Sequence, residues 1–180
     1  WWESYDSFML HYAEIAKNLD IPVLYVGVEL EAAIQARPDR FLQTISRVRE
    51  VYHGEVVYSA NWDETQPDRI WKALDFVGVQ FYPPLSKDAE PTIEELTAAV
   101  EERLAPWVEL SERVDRPLVV SEVGYRASPD AAEAPYQWPQ HSDEDGRSVD
   151  QEIQRSAYLA LFGALGDVQS LKGVFLWKYF

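Results

Sequence analysis

The sequence predicts a parallel α/β fold with its chemistry gathered at one edge of the sheet. Three observations lead there. Helical and strand-like segments alternate along the chain, which implies parallel strands joined by helical crossovers. The strand-like segments are short, nearly continuous apolar runs, the pattern of strands buried on both faces. Carboxylate, amide and aromatic residues stand where those runs end. A doubly wound sheet and a (β/α)8 barrel both fit this order. No glycine-rich phosphate loop follows any strand, which disfavours a nucleotide-binding sheet.

The elements follow from local spacing. Phe8, Tyr12, Ile15, Ala16 and Leu19 recur at helical intervals, so a first helix should bury that stripe. Residues 21–28 form the first apolar run. Phe41, Ile45, Val48 and Tyr52 define a second helix, with His53-Gly54 as its expected glycine C-cap. Residues 56–60 make the next strand, ending at Asn61-Trp62-Asp63. A short helix around Ile70, Trp71 and Leu74 leads to a third strand over 76–82, closed by Pro83-Pro84. Thr92 and Glu95 form a capping box. It opens a long helix with Leu96, Val100, Leu104 and Trp107 inward. Arg116-Pro117 precedes the fourth strand, 118–122. Residues 126–147 are rich in Pro, Ala, Asp and Glu and read as a long loop. The last helix points Ile153, Ala157, Leu161 and Leu165 inward, and a final strand covers 174–177.

Composition bounds the function. The chain has 180 residues and is 47% hydrophobic. That suits one domain over 1–180 and is shorter than the roughly 200–250 residues of a complete (β/α)8 barrel. The formal charge of −15 disfavours nucleic acid and anionic membranes as partners. There is no cysteine, hence no disulfide framework and no thiolate metal site. His11, His53 and His141 are too scattered to suggest a metal centre, and no cofactor is expected. No apolar run is long enough for a membrane span. The chain opens on Trp1 rather than Met, so an N-terminally incomplete domain is expected. The compartment is left open.

The candidate chemistry lies at the strand ends: Glu29, Asn61-Trp62, Tyr82, Glu122 with Tyr125, and Trp177. Paired carboxylates between aromatic walls are what glycoside hydrolysis needs. One carboxyl protonates the leaving oxygen, and the other attacks the anomeric carbon or activates water. Aromatic faces stack on a pyranose ring and amides bind its hydroxyls. Each residue also has a plainer reading. Either Glu could pair with Arg47, Arg49 or Arg126. Asn61 could close its own turn. Trp71 and Trp107 read as packing, and Asp75 stands at the wrong end of its strand for catalysis. Trp138 or Tyr136, in the long loop, could face a sugar.

The segments YVGVELE, VVYSANWD, DFVGVQFYPPL, RPLVVSEVGYR and LKGVFLWKYF occur in an order that resembles glycoside hydrolase family 113. That is a (β/α)8-barrel family of retaining β-mannanases. The resemblance runs from about Trp2 to Phe180. It implies a partial barrel, strands four to eight with their helices, with strands one to three absent. It further implies Glu29 as acid/base and Glu122 as nucleophile. Tyr82 would bond the nucleophile or line the cleft, and Asn61, Trp62 and Trp177 would line sugar subsites. The implied activity is cleavage of β-1,4-linked mannan or a related β-glycan by double displacement. One position departs: Val28 precedes Glu29, where the wider clan carries Asn and a small hydroxyl residue is expected in the family. With that departure, a barrel-like carbohydrate-binding or scaffold module without turnover is the second reading. A five-stranded piece would leave apolar edges at 21–28 and 174–177. It should therefore need the other barrel half or self-associate.

Overall fold

The protein is described here by a computed structural model covering residues 1–137 and 149–177. Its elements alternate as expected: α1 (Trp2–Asn18), β1 (Val23–Val28), α2 (Glu31–Ala36), α3 (Pro38–Val51), β2 (Glu55–Asn61), α4 (Asp68–Lys72), β3 (Phe76–Gln80), α5 (Ile93–Val114), β4 (Leu118–Val123), α6 (Gln151–Leu165) and β5 (Leu171–Leu176). The sheet has five strands in the order β1-β2-β3-β4-β5, and each neighbouring pair is parallel. Sequential order with helical crossovers is the arrangement of a barrel wall, whereas a doubly wound sheet reverses its strand order. No helix among the described residues is long and apolar enough to cross a membrane.

Local chemistry explains the starts of α5 and α6. At α5 the Thr92 hydroxyl accepts from the Glu95 amide, and the Glu95 carboxylate returns a bond to the Thr92 amide. Two orphan donors of the helix start are thereby satisfied. At α6 the Asp150 carboxylate caps the amides of Glu152 and Ile153. The core lies between the sheet and the helices. Val56, Tyr58 and Ala60 of β2 belong to it, while Ser59 turns to the other face and meets Ser121 of β4 with hydroxyls 2.6 Å apart. Phe41, Tyr58, Trp71 and Trp107 form a chain of ring contacts through this core. Trp71 and Trp107 meet edge to face at 6.1 Å, in the packing role expected of them.

Two local expectations need correction. The first helix forms, but of its expected inward stripe only Ala16 is buried; Phe8, Tyr12, Ile15 and Leu19 are exposed. The face turned to α3 carries Asp6, Met9, Ala13 and Ala16 instead. Asp6 selects it, because its buried carboxylate accepts from Arg40, Thr44 and Arg47, all on α3. The alanines let the helices approach closely. Gly54 is not a left-handed cap either: α3 ends at Tyr52 with φ −111°, an extended conformation. Gly54 is small for a different reason, since a Cβ there would run into the Tyr52 phenol and the Pro22 carbonyl.

Candidate active site

Both carboxylates predicted for chemistry lie at the C-terminal edge of the parallel sheet, and a local irregularity aims each one. Along β1, Tyr25 pairs with Val57 and Val28 with Ser59, so β1 fits one extra residue against β2. Bulges of this kind bend a strand and re-aim its side chains. The chain then turns at Glu29, whose φ of 50° is left-handed and uncommon outside glycine. The Glu29 amide donates to the Ser59 carbonyl at 3.0 Å, and the Leu30 amide to the Tyr58 hydroxyl at 2.8 Å. Gly27 permits this fold-back. A Cβ there would come within 2.8 Å of the Leu30 side chain and 3.1 Å of the Tyr58 ring.

The second carboxylate is held by the end of β3. Gln80 of β3 pairs with Glu122, one residue beyond the partner that strict register from Val79 and Val120 gives, so Ser121 is the extra residue of a bulge. The Phe81 amide donates to the Glu122 carbonyl at 2.7 Å, and the Tyr82 hydroxyl donates to the Glu122 carboxylate at 2.7 Å. Burial, then the bond to Glu122, pushes the Tyr82 phenol well above its ordinary range. Tyr82 therefore stays a donor at any working pH.

The surrounding charges act on Glu29. The Glu29 carboxyl is raised above its ordinary value, first by partial burial, then by the charge of Glu122, then by that of Asp63. The arginines that might have neutralised the pair are engaged elsewhere. Arg47 bonds Asp6, Arg49 bonds Asp75, and Arg126 bonds Asp130. Asp75 also accepts from the Val56 amide, a structural role at the opposite end of the sheet. One carboxyl inclined to keep its proton beside one bonded as an acceptor is the division that acid catalysis and nucleophilic attack require.

The remaining predicted residues divide. The Asn61 side-chain oxygen accepts from the Trp62 amide at 2.9 Å, closing the turn after β2. Trp62 is half-buried at that edge, and its carbonyl accepts from the Trp107 indole. Trp177, at the end of β5, is 47% exposed, and its amide donates to the Val123 carbonyl. Tyr125 does not reach the open edge. It is 4% exposed, packs edge-on against Tyr158 at 5.2 Å, and has its hydroxyl enclosed. Its place two residues beyond β4 sends the ring under α6 instead of over the cleft. Of the long loop, Ala132 accepts from the amides of Leu85 and Ser86, which ties the loop to the turn after β3 at the same edge. Tyr136 is exposed, and Trp138 lies outside the described residues.

Sequence reasoning missed Glu64. It is 3% exposed, and its carboxylate accepts from the Tyr58 hydroxyl, from the Gln66 amide group at 2.7 Å and from the Asn61 backbone amide at 3.1 Å. The available signal was Tyr58 itself, a hydroxyl-bearing ring on the helix-facing side of an apolar strand, which needs a partner when buried.

Comparison with known proteins bears on the fold and the family. The chain superposes on the family 113 β-mannanase AaManA of Alicyclobacillus acidocaldarius, solved in complex with ManMIm, with a TM-score of 0.78 and 26% identity, covering 99% of this chain and 51% of that one. A family 113 β-1,4-mannanase complex gives a TM-score of 0.79 at 23% identity, with 99% and 52% covered. The β-D-glucuronidase of Dictyoglomus thermophilum shares the fold more distantly, with a TM-score of 0.68, 17% identity, and 98% and 28% covered. The chain thus spans about half the length of the solved β-mannanases it matches and forms a partial (β/α)8 barrel. Among curated proteins no sequence match is found. The model of Glycoside Hydrolase Family 113 matches residues 1–180, and the chain belongs to that family.

Proposed function

We propose that this chain carries the catalytic pair of a retaining glycoside hydrolase acting on β-1,4-linked mannan or a related β-glycan. The observation that supports this best is the Tyr82–Glu122 bond at 2.7 Å on one strand end, with the Glu29 carboxyl on another raised first by burial and then by the charge of Glu122. Glu29 starts protonated and gives its proton to the leaving oxygen. Glu122 attacks the anomeric carbon and forms a glycosyl ester. The ester removes the negative charge of Glu122, so Glu29, now a carboxylate, takes a proton from the incoming water, whose oxygen attacks the anomeric carbon as the bond to Glu122 breaks. Tyr82 holds one carboxylate oxygen of Glu122 and leaves the other to attack. Retention requires the two carboxyls about 5–5.5 Å apart. Asn61, Trp62 and Trp177 line the sugar subsites in this reading, and Tyr125 braces the wall behind them. The mannan preference draws on the β-mannanases among the structural neighbours.

The other half of a closed barrel completes the cleft wall beside β1 and β5, supplied by further chain or by association. The second reading, a sugar-binding module without turnover, draws on Val28, which is 49% exposed beside Glu29 where a polar residue was expected. One experiment separates them. Glu122→Ala in the full-length protein should abolish release of reducing sugar from mannan, and azide should restore cleavage as the glycosyl azide of inverted configuration. An unmodified protein that binds mannan, glucomannan and cellulose without cleaving any of them would establish the binding module instead. Normal turnover by Glu122→Ala would remove the proposed mechanism.

A further inference from the structure

Glu64 sits on the helix side of the sheet, behind the cleft, where a carboxylate has no general reason to be. A buried acid is costly unless hydrogen bonds replace its water. Here the replacement is complete on both oxygens. Oε1 accepts from the Tyr58 hydroxyl and from Gln66 Nε2 at 2.7 Å, and Oε2 accepts from the Asn61 amide at 3.1 Å. The Glu64 amide in turn donates to the Asn61 carbonyl at 3.0 Å. The path does not stop at Tyr58. Having donated its proton to Glu64, the phenol oxygen can accept, and it accepts from the Leu30 amide at 2.8 Å. Leu30 directly follows Glu29, which holds a left-handed φ of 50°.

We propose that Glu64 is a positioning residue for the acid/base carboxyl: acting through the Tyr58 hydroxyl and the Leu30 amide, it locks the turn carrying Glu29 to the turn carrying Asn61 and Trp62. This rests on the glycosidase reading given above. The physical need lies in the Glu29 turn itself: β1 fits one extra residue against β2, and Glu29 holds a left-handed φ of 50°. A bulged, left-handed turn has little of its own to hold its shape, and a buried acceptor shared by both turns supplies the constraint. Burial raises the Glu64 carboxyl, while the donors from Tyr58, Gln66 and Asn61 pull against that rise, as expected for an acceptor engaged on every side. Tyr58 is also anchored by its ring, edge-on to Phe41 at 5.4 Å, so its hydroxyl is a fixed point.

The test is a leaving-group series on the full-length protein, using aryl β-mannobiosides from dinitrophenyl to phenyl. Tyr58→Phe and Glu64→Gln should lower kcat/KM for the phenyl glycoside by about 10-fold or more, yet for the dinitrophenyl glycoside by less than about 3-fold, because only poor leaving groups need the proton of Glu29 in the first step. In a Glu29→Ala background the same changes should add little, since their route to the reaction is gone. Gln66→Leu, which removes one donor from Glu64 outside the sheet, should show the same selectivity at smaller size. Equal losses along the series, or additive losses in the Glu29→Ala background, would overturn the proposal and leave Glu64 a stability residue. Failure of all three variants to fold would do the same. If the unmodified protein cleaves no member of the series, the glycosidase reading falls and this proposal with it; a failure confined to the variants leaves that reading intact.

Discussion

The middle of the sheet and its two flanks obey different rules. β2, β3 and β4 are buried along almost their whole length, whereas β1 and β5 are buried over only part or none of theirs. The helices follow suit. On α1, Phe8, Tyr12 and Ile15 face outward, and on α6 so do Leu159 and Phe162; Phe175, Leu176 and Trp177 line the far edge. Isolated exposed apolar residues are ordinary, but two contiguous apolar flanks are not. Burial within this chain is thus concentrated in the three middle strands, while apolar side chains stay exposed on both flanks. It also divides the candidate site, because Glu122 stands on an interior strand and Glu29 on a flank.

The largest expected effects fall on the two acids. Beside the near-total loss foreseen for Glu122→Ala, Glu29→Ala should cost about 10²–10⁴-fold in kcat/KM with poor leaving groups and far less with good ones. Steady-state kinetics over a leaving-group series reads this directly, and equal losses for all substrates would deny Glu29 the acid role. Next comes the core of the middle. Trp71→Ala should destabilise the fold by about 3–5 kcal/mol, as removal of a fully buried aromatic does, whereas Phe8→Ser on the flank should cost under about 0.5 kcal/mol in the isolated chain. Urea melts of both variants check the contrast. If Phe8→Ser proved as damaging as Trp71→Ala, the α1 face would already be covered in the isolated chain.

Removing the bond on the interior side is a smaller perturbation. Tyr82→Phe leaves one oxygen of Glu122 without its charge-assisted partner and should lower kcat by about 10- to 100-fold, equivalent to roughly 1.5–3 kcal/mol. An unchanged kcat would mean that Tyr82 plays no part in holding the nucleophile. The last effect is a shift in pH dependence. Glu29 must be protonated for the first step, so kcat/KM should hold below its raised pKa and fall as pH rises through it. The causes of that rise, in order, are burial, Glu122 and Asp63. Glu122→Gln should therefore lower the Glu29 pKa, observed by carbon-13 NMR of the carboxyl. Asp63→Asn should move the alkaline limb of kcat/KM to lower pH by a smaller amount. A move to higher pH in either variant would show that these charges do not act on Glu29 as described.

How much of this was legible differs from residue to residue. The capping box at Thr92 and Glu95, the inward face of α5 and the strand ends at Glu29 and Glu122 were readable because each is written in a few neighbouring residues. The burial of Tyr125 was not, since it depends on Tyr158 arriving from α6. The face of α1 was misread for the same kind of reason. Its apolar stripe is real, but Asp6 meets three side chains of α3, and that polar contact sets which side turns inward.

Periodicity, capping residues and strand-end chemistry were enough to establish an alternating parallel α/β chain with two carboxylates at the C-terminal edge of its sheet. These are properties of short windows, and backbone hydrogen bonding plus side-chain alternation translate them almost directly into place. The bulges that aim Glu29 and Glu122 and the buried Glu64 linking two turns came only from the tertiary structure, which also decided between the two places open to Tyr82 by bonding its hydroxyl to Glu122. Each depends on which strand lies beside which and in what register. A buried polar group reveals its purpose only when the donors that replace its water are known.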